Sequence, residues 1–291
     1  RNLKRTLSLA LAAIMLVGMM VVSASAASYN NLTDKDEIVN KDAVSMLVSL
    51  GIIEGKPDGS YGPTENVDRA QMAKMLSVIM NKGVDNSALY QSVNSGLVDV
   101  NTNWAKGHIN YCYTTGIIAG RGNGKFDPSA TVTALEAAKM LLVAVGYDPA
   151  IEGFEGADWA INVSVRADEQ GIFEGFTKDL SAPLNRDDAA LLIYNALDVE
   201  MIQSYTTNNY PIVYSDHRTI LSDKYGVIKV EGVVTANEWA ILDDDTDTAL
   251  QEGKTRIYNP DGILSTTGNT AVAQDSSANV ISRSVARDNS H

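Results

Sequence analysis

Two arginines stand where an arginine is ordinarily unfavourable, which makes them the first candidates for chemistry. Arg69 and Arg186 each follow a residue suited to cap a helix, Asp68 and Asn185, and so fall at the first helical position. The positive end of the helix dipole lies there, and a cation costs about 0.3 to 1 kcal/mol. Two arrangements would offset that cost. The arginine can pair with a carboxylate such as Asp34 or Asp99, or an anion can bind to the free amides of the helix start and the guanidinium fork. The residue types leave both open. At the matching place in a third helix the residue is Ala134, which weakens or removes any such site.

Catalytic side chains are sparse. The histidines are His108, His217 and His291, and none has a nucleophile or metal-ligand spacing nearby in sequence. There is no phosphate loop and no G-x-S-x-G. A glycosidase carboxylate pair is compatible with the composition but requires proximity in three dimensions. The run Asp243-Asp244-Asp245-Thr246-Asp247 offers clustered carboxylates to a hard cation, yet it lacks the spaced ligands and distal Glu of a calcium loop and reads better as a solvated turn. No metal and no cofactor is expected.

The elements that would position the arginines recur three times. Gly51–Pro63 reads GIIEGKPDGSYGP, Gly116–Pro128 reads GIIAGRGNGKFDP and Gly171–Pro183 reads GIFEGFTKDLSAP. Each copy has one Gly at its start, another four residues on, and a Pro at its end, and such an internal repeat governs the reading of the whole chain. Before each opening Gly lies an apolar helical pattern: Val39, Ala43, Val44, Leu47 and Leu50; Trp104, Ala105, Ile109 and Cys112; Trp159, Ala160, Val163 and Ala167. The Gly is placed to stop that helix. Counting back from it makes Leu47, Cys112 and Ala167 equivalent, so Cys112 reads as a core residue. Asp58-Gly59 and Asn123-Gly124 mark turns with positive backbone dihedrals, for which the third copy has Lys178-Asp179. Tyr61 and Phe126 would tack the loop to the core. A second helix follows each loop, opened by Asp68-x-x-Gln71, Thr133-x-x-Glu136 and Asn185-x-x-Asp188.

Composition bounds the partners. The 291 residues are 45% hydrophobic and carry a net charge of −13. The first 26 hold three cations and no acid, so the remainder stands at −16, which argues against a nucleic-acid partner. Those 26 residues have the layout of a secretory signal: Arg1, Lys4 and Arg5, an apolar run from Leu7 to Val22, then Ala24-Ser25-Ala26. No stable membrane span is expected after cleavage. The first residue is not Met, so the sequence reads as incomplete there. One cysteine allows no internal disulfide.

The ordered pattern L-x-D (Leu32 to Asp34, Leu97 to Asp99), W-A (Trp104-Ala105, Trp159-Ala160), G-I-I-x-G, D/N-G, F/Y-x-P and [V/L]-x-R-x-[E/Q/D]-x-A resembles the S-layer homology (SLH) domain in three tandem copies over about residues 31 to 200. The resemblance implies a mainly α fold, a pseudo-threefold helical spindle built from three helix-loop-helix repeats. It places repeats at 31–93, 94–157 and 158–200. It implies grooves between copies that hold a secondary cell wall polysaccharide, often pyruvylated and so anionic. Asp34, Asp99, Trp104, Trp159, Arg69, Arg186 and the loop glycines Gly55, Gly120 and Gly175 would line or shape them, with Arg121 and Lys125 as further donors. A Trp face suits a sugar ring, an Arg a carboxylate, and Gly a close backbone approach. The Trp residues serve equally well as core anchors.

Departures from the pattern bear on each copy. Val39 stands for the Trp in the first, Ala134 for the Arg in the second, and the third has Glu155 for the Asp and no D-G turn. The expectation is that one or two grooves bind and that sites are shared between repeats. The protein expected is a secreted, non-catalytic component of the cell wall or S-layer surface, with self-assembly into a lattice as a further partner. The alternative is the wall-anchoring region of a surface enzyme, such as a polysaccharide hydrolase, whose catalytic domain lies past residue 291. Residues 205–263 read as the start of a β-rich module: Ile228, Val230 and Val234 alternate with polar residues, and Trp239–Leu242 and Arg256–Tyr258 offer further strands. Residues 264–291 read as a flexible or truncated tail.

Overall fold

A computed structural model of the chain describes residues 28–227 together with 233–236, 254–258 and 279–282. The expected signal at 1–26, the alternation at Ile228 and Val230, the strand at Trp239–Leu242 and the Asp243–Asp247 run lie outside the described residues. Three copies of a helix-loop-helix unit form the bulk of what is described. The first helices are α1 (Lys41–Ser49), α3 (Lys106–Thr114) and α5 (Trp159–Glu169). The second helices are α2 (Arg69–Met80), α4 (Ala134–Val145) and α6 (Arg186–Ala196). The fold is mainly α, as the repeats imply.

The stop glycines act as their chemistry requires. Gly51, Gly116 and Gly171 all have φ near +70 to +78°, a region open to residues without a Cβ. The next residue then donates back to the helix, Ile52 to Leu47 O at 2.9 Å, Ile117 to Cys112 O at 2.9 Å and Ile172 to Ala167 O at 2.8 Å. The three acceptors are the positions matched by counting back. Cys112 is fully buried, its thiol bonded to Ala73 O at 3.4 Å and pushed far up by burial, as fits a core residue. The caps on α2 and α4 are complete boxes, whereas Asn185 caps α6 from one side only.

The copies close into a ring through their cap strands. Val67 donates to Leu184 O, Leu184 to Val132 O and Val132 to Val67 O, at 2.8, 2.8 and 2.9 Å. This cyclic triplet is a pseudo-threefold axis written in backbone hydrogen bonds. Around it, the second helix of each copy packs on the first helix of the next: α2 on α3, α4 on α5, and α6 back on α1. The core is continuous through all three copies, from Leu32 to Leu221. Tyr61 and Phe126 are among its largest fully buried side chains, so the loops are tacked down as expected.

Two apolar positions differ from the helical reading. Val39 and Trp104 precede their helices and point outward, 82% and 59% exposed. Val39 is therefore no part of the core.

After the third copy the chain turns back over the ring. Strand β1 (Ile202–Tyr205) pairs antiparallel with β2 (Pro211–Val213), and the short helix α7 (Ile220–Tyr225) follows. Tyr205 Oη donates to Glu152 at 3.0 Å and accepts from Asp148 N at 2.9 Å, while Tyr225 Oη donates to Ile79 O. The residues just past 200 are thus part of the same packed body. Beyond them, β3 (Val233–Ala236), β4 (Lys254–Tyr258) and β5 (Asn279–Ser282) form an antiparallel sheet in that order. Strand β5 falls within the stretch 264–291.

Candidate functional site

The two arginines resolve into neither of the arrangements expected of them. Arg69 is only 4% exposed. Its Nε donates to Phe126 O and a terminal nitrogen to Ala119 O, both at 2.8 Å, and its plane lies 4.3 Å from the Phe126 ring. Arg186 repeats this on the first loop, with Nε to Tyr61 O at 2.8 Å, a terminal nitrogen to Glu54 O at 3.4 Å, and the Tyr61 ring at 4.7 Å. Backbone carbonyls of the neighbouring copy offset the dipole. Burial brings the Arg69 guanidinium down to about 10, which leaves it charged at neutral pH.

The helix-start amides are not free either. Arg69 N and Ala70 N donate to Ala130 O and Pro128 O at 2.9 Å, and Arg186 N and Asp187 N to Glu65 O and Pro63 O. The first free amides of each helix are thus satisfied by the preceding segment of another copy, and an anion could reach the arginine but not a helix terminus.

Nor do the carboxylates pair with the arginines. Asp34 accepts from Tyr61 N and Gly62 N, both at 2.7 Å, and Asp99 from Phe126 N at 2.9 Å and Asp127 N at 2.8 Å. Burial works against the charge on each, but these backbone bonds outweigh it and hold both carboxyls below their ordinary value. Asp34 and Asp99 therefore shape the loops from behind.

What the structure brings together is two grooves of one design. The first groove, about 200 Å³, joins Arg186 from copy three, the Gly55 loop with Lys74 of α2 from copy one, and Trp104 from copy two. The second, about 370 Å³, joins Arg69 from copy one, the Gly120 loop with Lys139 of α4 from copy two, and Trp159 from copy three. Every groove draws on all three copies, because each Arg reaches forward one loop and each Trp reaches back one. The loop glycines are required within the protein. A Cβ on Gly120 would meet Lys125 O at 2.9 Å, and one on Gly55 the Leu32 side chain at 3.1 Å. Gly175 needs its positive φ of 76°.

The lysines were missed by sequence reasoning, though a signal existed. Lys74 and Lys139 each lie six residues after their helix cap, where the third copy has Leu191. Arg121 lines the second groove and pairs with Glu136 at 2.7 Å; Lys125 is not among the residues that line it.

Carried round the ring, the same positions at the third seam are Ala134 for the Arg, Phe176 for Lys56 and Arg121, Leu191 for the Lys, and Val39 for the Trp. The departures scattered over three copies in sequence thus meet in one seam. That seam holds a different device: buried Asp187 accepts from Val39 N and Asn40 N at 3.2 Å and from the Asn40 side chain at 3.1 Å.

One constellation was not visible in sequence. His108 Nδ1 lies 2.6 Å from Ser77 Oγ, and its Nε2 lies 3.6 Å from Asp85. The two residues are 31 apart in the chain, so sequence spacing gives no sign of the pair. Ser77 Oγ also lies 2.9 Å from Lys74 O, so the hydroxyl is engaged with the backbone of its own helix as well as with the imidazole. Ser77 and His108 are each 4% exposed, and burial lowers the imidazole despite the opposing pull of Asp85. The trio ties α2 to α3.

A ring of tandem helical repeats with grooves at its seams is the class defined by this geometry. The S-layer homology domain model matches residues 31–73 and 98–138, which cover the start and first loop of copies one and two. These two copies therefore carry S-layer homology domain sequence, and the protein is located at the cell surface. It is 28% identical over 269 residues to a cell surface protein of Thermoanaerobacter kivui, covering 91% of this chain and 32% of that protein. It is 33% identical over 113 residues to an S-layer protein of Bacillus licheniformis, covering 39% of this chain and 12% of that protein. An amylopullulanase of Thermoanaerobacterium thermosulfurigenes is 31% identical over 172 residues, covering 54% of this chain and 9% of that protein. The chain thus spans about a third of the first of these and less of the others. Among the described residues no helix is long and apolar enough to cross a membrane.

Proposed function

We propose that the two formed grooves bind an anionic secondary cell wall polysaccharide and so hold a secreted protein non-covalently to the wall. The observation that supports this is the concentration of cations beside an aromatic face in a strongly acidic chain. The first groove is lined by Lys56, Lys74 and Arg186 against the single carboxylate of Glu54. Trp104 is more than half exposed, which weighs against a core-anchor role, whereas Trp159 is partly buried against the core. On this reading residues 158–200 are a third SLH repeat that serves closure more than binding, residues 1–26 are the export signal, and the role is structural. Self-assembly into a surface lattice accords with the S-layer protein relatives.

A second reading keeps the same grooves but makes the chain the anchor of a surface enzyme. It is favoured by relatives named amylopullulanase and exoglucanase, each matched over about half of this chain.

The test is sedimentation of the full chain with purified cell walls. Trp104→Ala and Trp159→Ala together are expected to release most of the protein, while Val39→Ala at the third seam leaves binding unchanged. Full retention by the folded double variant would reject the groove assignment.

A further inference from the structure

The two grooves share a plan but not an electrostatic state. In the second, Glu136 replaces the Gln71 of the first, and its carboxylate is pinned twice: one oxygen accepts from Thr133 N at 3.1 Å in the capping box and the other meets Arg121 at 2.7 Å. It cannot swing away from the groove without breaking its half of the capping box on α4. Lys139 is engaged too, donating to Phe154 O at 2.5 Å while lying 5.8 Å from the Trp159 ring. Both donor contacts of Arg69 are short, and Glu155 also lines this groove.

In the first groove Lys74 and Arg186 are held loosely. Lys74 meets only Glu54, at 3.4 Å, and that carboxylate is two-thirds exposed and able to move. Lys56 pairs with Glu65, which is not among the groove-lining residues. Arg186 has one short contact and one at 3.4 Å, and it is only half-buried.

We propose that the first groove selects a sugar unit bearing a carboxylate, and that the second takes an uncharged sugar ring of the same polymer. The assignment rests on the wall-polymer reading above and adds a division of labour to it. An incoming carboxylate in the first groove replaces mobile partners with Lys74 and the open edge of Arg186, as charge-assisted hydrogen bonds. In the second, Arg121 is already paired with Glu136, Lys139 and Arg69 are held by backbone carbonyls, and Glu155 adds a further negative charge.

The three tryptophans make this testable groove by groove in the full chain. With Trp239 changed to Phe, Trp159→Phe leaves Trp104 as the fluorescent reporter of the first groove, and Trp104→Phe leaves Trp159 as reporter of the second. The probes are purified wall polysaccharide with its acidic substituents intact and the same polymer after their removal. Removal is expected to weaken the first reporter's response about tenfold or more, the worth of one charge-assisted bond, and the second's by less than about threefold. Glu136→Gln keeps a capping box, as Gln71 does in α2, and is expected to give the second groove the acid preference of the first. Equal losses at both grooves, or no change with Glu136→Gln, would overturn the division while leaving wall binding intact. Silence of both reporters towards both polymers would overturn the wall-polymer reading itself, and the division with it.

Discussion

Replacing Arg69 by Ala should unlock the ring, and the size of the effect follows from its contacts. The side chain supplies the donors to Phe126 O and Ala119 O and a cation over the Phe126 ring. Removal leaves a carbonyl in the core and another at the groove wall unmet, at about 1 to 3 kcal/mol each, and the lost stack adds about 0.5 to 2. Relief of the cation at the helix start returns about 0.3 to 1 kcal/mol. With water free to reach Ala119 O from the groove, the net loss should be about 3 to 5 kcal/mol, a large part of a typical domain's stability. Arg186→Ala should cost less, about 1 to 3 kcal/mol, because its second contact is at 3.4 Å and the group is half-buried. Urea unfolding of the full chain followed by circular dichroism measures both. A loss under about 1 kcal/mol for Arg69→Ala, or the reverse order of the two, would refute the view that these arginines are first of all inter-repeat locks. The same figures explain why arginine variants would mix lost stability with lost binding.

Two further outcomes follow from the loops. Asp34 and Asp99 have folded-state values depressed below 3.8, so each contributes stability that is present above its unfolded value and lost as pH falls through the folded one. Acid unfolding of the wild type should therefore steepen below about pH 4, and Asp34→Asn with Asp99→Asn should flatten that limb at the cost of lower stability at pH 7; an unchanged acid limb would contradict the loop-clamp role. Gly120→Ala forces a Cβ against Lys125 O and should cost about 1 to 3 kcal/mol, more than Gly55→Ala, whose neighbour is the yielding end of Leu32; thermal melts that rank the pair the other way would argue against it.

How much of this was legible depends on whether a feature is local. The stop glycines, the caps and the buried Tyr61 and Phe126 could be read because each answers to its immediate neighbours. The partners of Arg69 could not. They are backbone carbonyls 50 and 57 residues away, and a carbonyl has no side-chain signature. Ser77 and His108 are likewise 31 residues apart. Val39 and Trp104 fit an apolar helical spacing yet face solvent, since they sit just ahead of the first turn where the helical period no longer governs direction. Helix α7 did carry signals, Thr219-x-x-Ser222 and a closing Gly226 with φ of 63°, but six residues give too short a period to detect.

The third seam explains why the departures fall together. Copies one and two are joined by chain, as are two and three, but nothing covalent joins three to one. Copy three is held to copy one by contacts alone: Arg186 reaches Tyr61 O at the first groove, and between α6 and α1 Asp187 grips Val39 N and Asn40 N, where its counterparts at the other seams, Ala70 and Leu135, have no such group. Burial lifts the Asp187 carboxyl above its ordinary value even though the Asn40 and Val39 amides favour its charge. A cationic, water-filled groove beside that bond would raise the dielectric around it and weaken it. Ala134, Phe176, Leu191 and Val39 take away the cations and the tryptophan together, so the seam that lacks a covalent link is also the one without a groove of the common design. The seam between α6 and α1 thereby gives these positions to closure, whereas in the other two grooves the arginine locks copies and lines the groove at once, a difference that no single copy, read alone, could express.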